Sequence, residues 1–64
     1  MNQKDLDKLE ALVDKYGFGQ VLFGIQDICY AKAEHLQTNW QDENSATEWK
    51  RRAELAYRCG RISL

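Results

Sequence analysis

Residues 6–22 read Leu6-Asp7-Lys8-Leu9-Glu10-Ala11-Leu12-Val13-Asp14-Lys15-Tyr16-Gly17-Phe18-Gly19-Gln20-Val21-Leu22, and their pattern decides the fold. Leu6, Leu9, Leu12, Val13 and Tyr16 recur every three or four positions, which places them on one face of an α-helix. Asp7, Glu10 and Asp14 alternate with Lys4, Lys8 and Lys15 as the ion pairs of a solvated helix surface. Gly17 supplies the left-handed residue that stops such a helix. With Gly19 two positions on, Tyr16 to Gln20 is a tight corner.

Toward the N-terminus, Asn2 is placed to cap the helix and Asp5 sits in its first turn, where the dipole favours an acid. The first helix is therefore predicted over residues 3–16. Beyond the corner, Val21, Leu22, Ile25, Ile28, Cys29 and Leu36 share a second helical face, predicting a helix over 20–38 with Asn39 as its C-terminal cap. Gly24 falls inside it, at a cost of about 1 kcal/mol relative to Ala, and close approach by another backbone would compensate. The third helix starts at Asp42, or at Ser45 with Glu48 completing a capping box, and is predicted over 43–60. Its core stripe is Ala46, Trp49, Ala53, Ala56 and Tyr57. Large residues of the first two helices are expected to face its alanines, with Trp49 as the central plug. Gly60 is expected to end the helix, leaving residues 61–64 as a frayed tail. The reading is all-α: one domain, residues 1–60, built as a small antiparallel three-helix bundle.

The chain has 64 residues and no proline, which suits helices throughout. At this size folding buries only about 60% of the unfolded surface. One core then supplies roughly 3–5 kcal/mol, so a staple or a partner subunit is often needed. Cys29 and Cys59 are too few for a disulfide scaffold. His35 is the sole histidine, so neither a three-His nor a Cys2His2 metal site can be built, and no cofactor is expected. Asn2, Gln3 and Lys4 do not open a secretory signal, and no apolar run approaches a membrane span. A cytoplasmic protein without a membrane partner is the expectation. Net charge is −1, but residues 1–47 hold four Lys against eight acids and residues 48–64 hold five Lys or Arg against two. The chain is acidic first and basic last.

No set of residues makes a persuasive catalyst, so the expectation is that the chain is not an enzyme. Cys29 and His35 diverge on one helix, a poor geometry for a nucleophile and its base. Gly17-Phe18-Gly19 lacks the strand before it and the Gly-Lys-Ser/Thr after it that a phosphate loop needs. More informative are apolar residues that one core cannot use. Phe23 and Tyr30 stand seven apart, away from Val21, Ile25 and Ile28, and Leu55, Cys59 and Ile62 repeat on helix 3 opposite Trp49 and Ala53. A helix apolar on two faces is surrounded or contacts something else, which predicts a protein interface, simplest as a two-fold homodimer.

Two polar groups compete with that reading. Lys32, His35, Asn39, Trp40 and Asp42 form a dense cluster at the second corner, either a recognition site or a set of helix caps beside an outward-reaching lysine. Lys50, Arg51, Arg52 and Arg58 give helix 3 a basic side able to meet nucleic-acid phosphate or an acidic partner. The net acidic charge weighs against nucleic acid, and cations late in a helix also suit its dipole.

The stretches Leu9 to Leu22, Ile28-Cys29-Tyr30-Ala31-Lys32-Ala33-Glu34-His35-Leu36 and Asn39-Trp40-Gln41-Asp42, followed by Trp49, together resemble a group of small helical proteins of bacterial and phage genomes with no established activity. The likeness spans roughly residues 6–56 and omits Tyr57 to Leu64. It implies an origin and a helical fold, and by analogy stoichiometric binding to a host protein, but assigns no site.

Overall fold

The computed structural model describes residues 1–62: α1 (Gln3–Tyr16), α2 (Phe18–His35), a π-helical turn (Leu36–Trp40) and α3 (Glu43–Ile62). The described residues are all-α with three α-helices, as the periodicity predicts. Asn2 caps α1 by accepting the Asp5 N–H at 2.8 Å. Gly17 ends it at φ 90°, ψ 157°, a conformation that strains any residue with a side chain. That one glycine makes the whole corner, so α2 starts at Phe18, two residues before the predicted position.

Helix 2 was expected to run to Thr38 and to be capped by Asn39, and it does neither. The α-pattern stops at His35 and the next five residues form a π turn. The left-handed residue is Gln41, at φ 51°, whose N–H closes on the Leu36 carbonyl. Asp42 N–H reaches the same oxygen at 3.1 Å. Of the two rival starts for helix 3, the one at Asp42 is used: its carboxylate accepts the Ser45 N–H at 3.1 Å. At the far end, Gly60 was expected as a stop, yet α3 continues through it to Ile62. Of the four tail residues, Arg61 and Ile62 are thus helical, and Ser63 and Leu64 lie outside the described residues.

The core is made of small residues. Gly19, Cys29 and Ala33 of α2 meet Ala46, Ala53, Ala56 and Gly60 of α3. Phe23 lies against Gly60 and Tyr57, Lys32 over Trp49, and Lys50 reaches Gln37. Position falls along α3 as it rises along α2, so this pair is antiparallel. A Cβ at Gly60 would come within 2.7 Å of the Phe23 ring and 3.3 Å of the Gly19 carbonyl, which is why glycine stands there. The expected packing of large residues onto alanines is replaced by small on small. That closeness leaves no space for an indole between the helices. Trp49 is therefore no central plug; it lies at the seam's edge, with Arg52 4.6 Å and Lys32 5.5 Å from its ring centroid.

Helix α1 contributes no buried residue and touches α2 without approaching α3. The described helices form an open arrangement in which α1 and α3 both pack on α2 and not on each other, with Cα extents of 37 × 27 × 14 Å.

Candidate protein interface

The bulkiest buried residue among those described is Cys29. The large apolar side chains that the sequence reading assigns to a core lie instead along open surface. Leu9, Leu12 and Tyr16 of α1 and Val21, Ile25 and Ile28 of α2 line a groove of about 400 Å³. Ile28 is 57% exposed, and Leu12, Tyr16 and Ile25 are exposed as well. A second groove of about 480 Å³ continues from Ile28 past Lys32, His35 and Leu36 to Trp49. The cause is geometric: α3 spends its small-residue face on α2, and α1 alone is too narrow to cover the rest of α2.

The apolar residues singled out from the sequence divide. Phe23 belongs to the α2–α3 contact, its ring 6.0 Å from that of Tyr57. The premise that it stands apart from the core is corrected, because the face of α2 that meets α3 is the small-residue face and Phe23 lies along it. Tyr30, Leu55, Cys59 and Ile62 are all exposed, Leu55 at 62% and Ile62 at 86%. Leu55, Cys59 and Ile62 lie on α3, which α1 does not touch. Leu12, Tyr16, Ile25 and Ile28 are the surface residues that sequence reasoning missed. A signal was present in the alanines and glycine of α3, which mark a face that closes on small partners and leaves large ones elsewhere.

The polar cluster separates into parts. Lys32 leans on Trp49 and Asp42 caps α3. The Ser45 backbone N–H, then the Ser45 side chain, hold the Asp42 carboxyl below its ordinary value of 3.8 against weak desolvation, with the Asn44 N–H adding to them. His35, Asn39 and Trp40 remain together on the π turn. Trp40 Nε1 lies 3.2 Å from His35 Nε2, and the Asn39 amide 2.8 Å from Nδ1. An indole N–H only donates, so Nε2 accepts and a neutral ring carries its proton on Nδ1. The Asn39 amide must then turn its oxygen to that proton, since donation to both nitrogens would leave the ring with none. The arrangement fixes the tautomer and holds Trp40, itself 70% exposed, against the turn.

The basic residues of α3 are largely engaged with their own helix. Arg58 pairs with Glu54 at 2.7 Å and Arg52 with Glu48 at 3.6 Å. Lys50 donates to Gln37 at 3.4 Å, and Arg61 lies 6.0 Å from the Tyr57 centroid. Arg51 is exposed beside them. Among the described residues, no group of three or more His, Cys, Asp or Glu is placed to hold a metal ion, and no helix is long and apolar enough to cross a membrane. By fold and surface the chain is a small three-helix protein with an open apolar face. Comparisons with protein-family models, curated proteins and solved structures find no match.

Proposed function

We propose that this chain is a protein–protein interaction module without catalytic activity, acting by stoichiometric binding and self-associated in its working form. One observation carries the reading: large apolar side chains stand exposed on an open arrangement of helices whose largest buried residue, among those described, is Cys29. Domains ordinarily bury large apolar side chains in a core between packed elements, and an arrangement that leaves them open gains most by taking cover from another molecule. A contiguous apolar face of this kind marks an interaction surface. The internal pairing of Arg52 and Arg58 favours a protein partner over nucleic-acid phosphate, because each cation already has a carboxylate. Light scattering on the eluting protein tests this reading: the mass should rise with concentration toward twice 7.5 kDa or more. A mass fixed at that of one chain up to high micromolar concentration would remove the self-association.

A further inference from the structure

We infer that a second copy of this chain seats on the α1–α2 groove, with its own α2 crossing this α2 at Gly24. The inference rests on the self-association proposed above and adds where it occurs.

Area is the first ground. A compact monomer of 7.5 kDa exposes roughly 4,250 Å². This chain exposes 5207 Å², an excess of about 950 Å². One partner of a standard stable interface contributes about 800 Å². The surplus therefore matches one side of a dimer contact.

Gly24 is the second ground. It sits on the exposed groove wall in the interior of α2, where glycine weakens a helix. Among the described residues nothing lies within 4 Å of where its Cβ would stand, so no contact inside the chain calls for it. Gly60 shows the opposite case, filled by Phe23 and the Gly19 backbone. A helix of another molecule crossing at Gly24 gives the missing close approach.

Charge is the third ground and selects the occupant. In a two-fold contact the same patch faces itself, so a charge near the axis meets its own copy and any other charge in the patch is desolvated. The groove wall of Leu9, Leu12, Tyr16, Val21, Ile25 and Ile28 holds no charged side chain. The rival row on α3 places Leu55 one helical turn from exposed Arg51 and beside the Arg58–Glu54 ion pair, so self-contact there must desolvate charged groups.

Sedimentation equilibrium on the full chain and four variants tests this, with circular dichroism to follow helix content. Gly24→Ala and Gly24→Leu should keep or raise helix content, since both are better helix formers and meet open space inside the chain. Gly24→Leu and Ile28→Asp should raise the dimer dissociation constant by more than about tenfold, Gly24→Ala less, while Leu55→Asp leaves it near that of the parent chain. A parent chain that self-associates but is unmoved by Gly24→Leu and Ile28→Asp overturns the groove assignment and leaves the self-association standing. A parent chain that stays monomeric overturns both.

Discussion

Glycine has different duties at Gly17 and Gly60, and the difference shows how far single residues can be read from sequence. Gly17 is a stop because its φ of 90° excludes other residues, and that was legible from the corner it makes. Gly60 looked like a second stop but is a packing residue, decided by Phe23 and Gly19, 37 and 41 positions away in sequence. No local pattern reports such a contact. Gly60→Ala gains some helix propensity but forces a methyl into the Phe23 ring, so a net loss of roughly 1 kcal/mol is expected from chemical denaturation. Stability unchanged or raised would mean that the ring moves aside freely. Asp42 makes the pH prediction at this scale. Its carboxyl is depressed when folded, so its contribution is present above its ordinary value of 3.8 and is lost as pH falls through the folded value. Asp42→Asn keeps a capping oxygen that cannot titrate. Thermal melts of the two proteins across that acid range should diverge, the parent chain losing more stability than the variant; parallel losses would contradict the assigned cap.

At the scale of elements, α1 was legible to the residue because its caps and its periodicity are local. The end of α2 was not. Asn39 has the composition of a cap, but its amide is taken by His35, and the left-handed position fell to Gln41, a residue with no special preference for it. The faces were harder still. Periodicity grouped Cys29 with Val21, Leu22, Ile25, Ile28 and Leu36 on one face, whereas Cys29 is buried with Gly19 and Ala33 on the side that α3 chose, and Ile25 and Ile28 stay exposed. Small residues won because they let two helices approach closely along their length, and the bulky face was left open. Helix α1 therefore depends on α2 alone, and elements with few buried contacts open at low free energy. Hydrogen exchange in dilute protein should show α1 amides exchanging fastest among the three helices and slowing as concentration rises. Equal protection at every concentration would contradict an α1 that gains its cover from a second chain.

For the molecule as a whole, a compact chain of 64 residues has a radius of gyration of roughly 10.7 Å, whereas this one has 13.4 Å. The expanded shape follows from α1 packing on α2 alone, away from α3. Two helices share a small-residue seam, and the third lies beside them without closing over it. A core judged marginal from length alone is marginal here for a specific reason, since its large side chains face outward. Self-association through that face accounts for the excess surface, the uncharged groove and Gly24 together. Its most direct test is isotope-filtered nuclear magnetic resonance on an equal mixture of labelled and unlabelled chains. The account predicts intermolecular cross-peaks from the methyl groups of Leu12, Ile25 and Ile28. Cross-peaks confined to Leu55 and Ile62, or none from the groove methyls at concentrations where light scattering finds two chains together, would contradict it.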